Sequence, residues 1–231
     1  MTPSSLTRSV RDNAVYLYAM AGESSALIVN FVLFAYVQKQ FGPEDLSLYM
    51  IIRRAISLIM PAVLLGLPLS LVKHLGATDE ARTQRRYILT GTVLAASLSL
   101  VLIMAGLAAP GRLARIFFGL SDQGAYILPT LLLILATALG LVLVSSARGL
   151  HRIMLSTSLY MLLFTVAPLA ACLLAPSLRG FLLLNALALL AGVVLLGLFY
   201  LGWRRDGLSL VTERTFFTFG IKGAATEFLM M

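Results

Sequence analysis

Charge is what this sequence has least of. Lys, Arg, Asp and Glu make up 12% of its 231 residues, about half of what a soluble domain spends on a wetted surface. Hydrophobic residues reach 59% and the mean hydropathy is +0.93. A soluble helical protein with an enlarged core is thereby excluded, since its core could not absorb this much apolar surface. There is one cysteine, Cys172, inside an apolar run, so no disulfide framework can form and nothing is said about redox compartment. The two histidines, His74 and His151, fall at the ends of apolar runs, where a place among lipid headgroups is expected rather than a metal. No HExxH, CxxC, Walker loop, GxGxxG or paired-carboxylate site is present. We therefore expect no enzyme, no cofactor and no metal site. Nucleic acid is excluded as a partner as well, because the net charge of +8 has no soluble basic domain to sit on.

What the sequence does have is six long apolar runs, at 14–37, 46–72, 87–109, 124–147, 155–175 and 180–202. A hydrocarbon core of roughly 30 Å takes about 20 residues to cross as a helix. In lipid every backbone group must find a partner inside its own segment, so each run is a helix. The runs are continuous rather than alternating, which excludes barrel strands. The breaks between them hold turn residues or charge, such as Gly42-Pro43-Glu44-Asp45 and Pro110-Gly111-Arg112. Another run, 216–231, is about 16 residues long, too short to span comfortably. No cleavable signal peptide is expected. Arg8 and Arg11 resemble an n-region, but Glu23 interrupts the apolar run early and the run then continues to Val37.

Basic residues set the expected orientation. Arg8, Arg11, Lys73, Arg82, Arg85, Arg86, Arg148, Arg152, Arg204, Arg205 and Arg214 fall on one side, against Lys39, Arg112, Arg115 and Arg179 on the other. Eleven against four places the N-terminus in the cytoplasm, and contact with anionic membrane lipid accounts for the positive balance. The expected order is a cytoplasmic N-terminus (1–13), a six-transmembrane-helix lobe (14–202), a basic cytoplasmic linker (203–215) and the truncated start of helix seven (216–231).

Polar residues inside the spans carry the functional information, because a charge in the bilayer normally faces a wet cavity or a partner. Glu23 and Asn30 are seven apart on the first helix and share a face. Arg53 and Arg54 lie about two turns inside the second, at a depth similar to Asn30, with Glu23 deeper toward the cytoplasm. Adjacent arginines point about 100° apart on a helix, so at most one faces a cavity fully. Snorkelling to the outer interface is the alternative for both. Pro61, Gly66 and Pro68 fall within eight residues of the second span, and each proline removes a backbone donor and bends the helix. In a transport protein such a segment lines water or moves; otherwise it is an ordinary kink. Pro129 and Pro168 read as ordinary kinks. Asn185, with the small pair Ala188 and Gly192, reads as a site of close helix packing.

Two stretches are familiar. Phe41-Gly42-Pro43-Glu44-Asp45-Leu46-Ser47-Leu48-Tyr49 and Leu65-Gly66-Leu67-Pro68-Leu69-Ser70-Leu71-Val72 resemble the polysaccharide-export (O-antigen and capsule) flippases. Those flippases belong to the multidrug, oligosaccharidyl-lipid and polysaccharide exporter superfamily. The chain departs from the usual pattern at Leu46-Ser47, where the family has Phe-Gly. Arg53 and Arg54 are similar to the paired arginines of lipid II flippases, which are associated with a lipid-linked diphosphate. Phe219-Gly220-Ile221-Lys222-Gly223-Ala224 resembles the start of helix seven in the polysaccharide branch.

The resemblance implies an all-α integral membrane protein, the six-helix N-terminal lobe of a two-lobe exporter that works by rocking one lobe against the other. The C-terminal lobe would then be missing, as in a fragment or a truncated gene product; a half-transporter that dimerises is the alternative. The implied activity is export of an undecaprenyl-diphosphate-linked oligosaccharide across the bacterial inner membrane in polysaccharide biosynthesis. Arg53, Arg54 and Asn30 would bind the diphosphate, and Glu23 would carry a coupling ion or balance charge. Pro61, Gly66 and Pro68 form the helix kink. A cation-coupled multidrug exporter of the same superfamily and a non-transporting scaffold of an envelope-assembly complex are the competing readings. Carboxylates and aromatics in the cavity would favour the multidrug exporter.

Overall fold

The computed structural model of the protein describes residues 3–119, 122–201 and 216–221. Among them the chain forms no strand. Six helices are long and apolar enough to cross a membrane: Met20–Phe41, Pro43–Leu64, Ala81–Ala108, Gln123–Gly149, Ile153–Leu174 and Leu178–Leu195. The chain is an all-α, multi-pass membrane protein. The linker expected at 203–215 and the stretch 222–231 lie outside the described residues.

Helix α1 (Pro3–Phe41) has 39 residues, about 58 Å at 1.5 Å per residue. It overshoots a bilayer core, and its helical backbone runs through the stretch expected as an N-terminal flank. The chain turns at Gly42, whose φ of 98° suits a residue without Cβ. Pro43 then opens α2 (Pro43–Leu64), with Glu44 and Asp45 in the first turn where the helix dipole favours negative charge.

The second span, expected as one kinked helix over 46–72, is two helices. The Leu65 N–H still reaches the Pro61 carbonyl at 2.9 Å. Leu65 and Gly66 then both adopt left-handed backbone, and Pro68 sits in the first turn of α3 (Leu67–Gly76). Proline, glycine and proline thus work in order as last turn, break and restart. After α4 (Ala81–Ala108) comes the short amphipathic α5 (Pro110–Phe118), which buries Ala114 and Phe118 and exposes Arg112, Arg115 and Ile116. A 3₁₀ turn, Asp122–Tyr126, leads into α6 (Ile127–Gly149). The fifth span is α7 (Ile153–Met161), a π turn at Leu162–Val166 and α8 (Ala167–Leu174). The π turn ends two residues before Pro168, whose missing N–H leaves a carbonyl of the preceding turn without its usual helical donor. The sixth span is α9 (Leu178–Leu201).

Helix α6 is the pillar. Of its apolar stretch 67% is buried, against 24–39% for the other five spans, and α3, α4, α7 and α9 pack around it. Lipid tails are as apolar as leucine, so this packing is held by close van der Waals fit rather than by exclusion of water. The fit is tight at Gly149, where a Cβ would lie 2.8 Å from Leu75 Cβ and 3.0 Å from the Leu71 carbonyl oxygen. Helix α9 meets the π turn at Gly192, where a Cβ would lie 2.8 Å from Leu163 Cδ2. Ala188, expected beside Gly192 in that contact, is exposed, whereas Asn185 is buried.

Alternate connections gather at opposite ends of the bundle. At one end Gly76 lies beside His151 and the Gly149 carbonyl. At the other, Gln40 Nε2 donates to the Ala175 carbonyl at 2.8 Å, and the Phe41 and Phe181 rings stack at 6.4 Å.

Candidate functional site

Residues four apart on a helix share a face, and two such pairs oppose each other across α1 and α2. Asn30 and Phe34 come from α1; Tyr49 and Arg53 come from α2. The Arg53 Nη1 group donates to Asn30 Oδ1 at 3.0 Å. Asn30 is itself oriented, since its Nδ2 donates to the Ala26 carbonyl at 2.9 Å and turns Oδ1 toward the arginine. The two side chains therefore stand at one depth in the bundle.

The guanidinium is framed by rings. Its Cζ lies 5.2 Å from the Phe34 centroid and 6.0 Å from that of Tyr49. Phe34 and Tyr49 meet edge to face at 6.0 Å, and Tyr49 meets Phe181 of α9 in the same way at 5.4 Å. Tyr49 and Phe181 are buried, so this wall is anchored in the core and holds the arginine in place. Cation–π contact of this kind adds about 0.5–2 kcal/mol.

Arginine has five N–H donors and no acceptor. One donor is met by Asn30 and the Tyr49 hydroxyl also accepts from the group, while among the described residues no carboxylate pairs with it. Arg53 is half-buried. The result is a fixed cation with spare donors in a partly screened place, suited to a carboxylate or phosphate, which guanidinium binds through two parallel hydrogen bonds.

The other sequence-derived residues are distributed differently. Arg54 is exposed on a separate face of α2. The Glu23 side chain lies outside the described residues; one position before it, Gly22 backs directly onto Thr157 of α7. Pro61, Gly66 and Pro68 form the α2–α3 break, three turns along from Arg53. Phe34 and Tyr49 were not among the residues singled out by sequence. Their signal was available, since each stands four positions from Asn30 or Arg53, but aromatic residues are too common in membrane helices to stand out alone. Compared with family models, curated proteins and solved structures, the chain matches none of them.

Proposed function

We propose that this chain forms the first lobe of a two-lobe exporter that moves an undecaprenyl-diphosphate-linked oligosaccharide across the bacterial inner membrane. The observation that carries the reading is Arg53: a cation within the second span, oriented by Asn30 and framed by Phe34 and Tyr49, with donors to spare. A lipid-linked diphosphate has a polar head that cannot cross about 30 Å of hydrocarbon unaided and a tail that stays in lipid. A cavity that presents arginine to the diphosphate would lower that barrier. The resemblance of the 41–49 and 65–72 stretches to polysaccharide flippases supports the same reading.

A multidrug exporter would turn its aromatic faces toward an organic cation. Here Phe34 and Tyr49 already face Arg53, which favours an anionic ligand. The eleven-to-four distribution of basic residues supports a cytoplasmic N-terminus. Transport of radiolabelled lipid-linked sugar into vesicles carrying the two-lobe exporter tests the activity. Normal transport by the double variant Arg53→Ala, Arg54→Ala, at normal expression, would remove the diphosphate role. For orientation, Gly207→Cys should resist an impermeant maleimide in intact cells and Ser121→Cys should react; the reverse pattern would invert the topology.

A further inference from the structure

The break in the second span is held from outside. Leu65 has φ 47° and Gly66 φ 69°. A left-handed leucine persists only where its surroundings over-determine it. Those surroundings are distant in sequence: a helical turn at residues 216–221 lies against α3 and reaches the break. A Cβ on Gly220 would stand 2.7 Å from the Leu65 carbonyl oxygen and 3.6 Å from Gly66 C, so only glycine lets the turn approach this closely.

The remainder of the contact is specific as well. The buried Ser70 hydroxyl donates to the Phe216 carbonyl at 2.8 Å. Phe216 is fully buried, with its ring 5.5 Å from His74 and 5.3 Å from Tyr87. The Lys73 ammonium sits 3.9 Å above the Phe219 ring. The turn therefore touches Leu65 and Gly66 at the break and Ser70, Lys73 and His74 of α3, bridging the interruption.

We infer that residues 216–221 are a clasp on a joint: seated, they hold α3 at its observed angle to α2, and unseated, they free the break to move. Displacement of this turn is then passed to α3, and from α3 to α6 through the Gly149 contact. A joint of this kind supplies the two-arrangement element that mechanical coupling within a bundle requires. The inference does not depend on the ligand at Arg53, and its test reads no transport.

Amide hydrogen exchange on the full chain in nanodiscs decides it. Gly220→Leu pushes the turn off the Leu65 carbonyl. Residues 216–221 and 65–70 should then gain exchange together, by about tenfold or more, while 134–144 of α6 keep native protection. Where the leucine variant does not accumulate, the milder pair Lys73→Ala and Phe219→Ala, both at less buried positions, should give the same coupled change at smaller amplitude. Faster exchange of 216–221 with 65–70 unchanged would overturn the clasp. Equal loss of protection in α6 would also overturn it, because the turn would then belong to the common core rather than to a joint.

Discussion

Polar side chains are handled in two ways in this bundle, and the contrast separates its scaffold from its candidate site. Inside α6 two hydroxyls close on their own helix, while Arg148 at its end reaches Ser156 of α7. Thr130 Oγ1 donates to the Tyr126 carbonyl and Ser146 Oγ to the Val142 carbonyl, both at 2.7 Å, and neither asks anything of a neighbour. Across α1 and α2 the demand exceeds what one helix can supply. Asn30 satisfies its amide on Ala26 but turns its oxygen to Arg53, and Arg53 keeps donors that no described residue fills. A hydroxyl finds an acceptor four residues back in any helix; a guanidinium has five donors and finds none there. Self-contained polarity marks the pillar, and unfinished polarity marks the place where a ligand would complete the set.

The sharpest way to break this contrast is to remove the arginine. Hydrogen bonds to a charged group are worth about 1.5–3 kcal/mol, so under the proposed function Arg53→Ala should slow transport about ten- to a hundred-fold. Arg54→Ala should leave it near native, given its exposure on another face. Equal loss from both in a transport assay would mean that total charge matters and placement does not.

Next in size is the pillar itself. Gly149→Leu drives a side chain into Leu75 and the Leu71 backbone, where overpacking costs about 1–3 kcal/mol. Thermal unfolding in detergent should show a clear drop in midpoint, and an unchanged midpoint would mean that α3 is not seated on α6. A smaller effect is expected at Asn30. Asn30→Ala loses one orienting bond to Arg53 but leaves the cation itself in place, and should slow transport a few-fold. Asn30→Asp should slow it more, because its carboxylate would pair with Arg53 and take the donors that the proposed anionic ligand needs; an aspartate variant faster than the alanine variant argues against an anion site. The smallest effect should be Ser146→Ala, within about 0.5 kcal/mol of native stability, since the carbonyl it leaves keeps its helical partner. A loss of several kcal/mol there would show that α6 hydroxyls are not self-contained.

The site was partly legible beforehand. Arg53 and Asn30 could be placed at one depth by counting residues from the span ends, and the 100° rule required Arg53 and Arg54 to differ. Which of the two turned inward could not be read, because it depends on how α2 is rotated about its own axis against α1. The aromatic frame of Phe34 and Tyr49 was missed for the same reason. The proline-glycine-proline cluster announced an irregular second span, but a kink and a complete break have the same residues. The outcome turned on what packs beside Leu65 and Gly66, and that includes Gly220, more than 150 residues away.

Six membrane helices and their approximate limits were determined by the sequence alone, because partition into lipid sums over about 20 neighbouring residues and needs no tertiary information. Tertiary structure decided everything that depends on helix rotation and long-range approach. It made α6 the pillar, chose Arg53 over Arg54 as the half-buried cation, split the second span at Leu65–Gly66 and laid residues 216–221 along α3. The physical reason is that hydropathy is a property of a segment, whereas facing is a property of a pair. In lipid, with no water to drive one face inward, a pair is settled by shape fit and by the few hydrogen bonds that one helix cannot satisfy by itself.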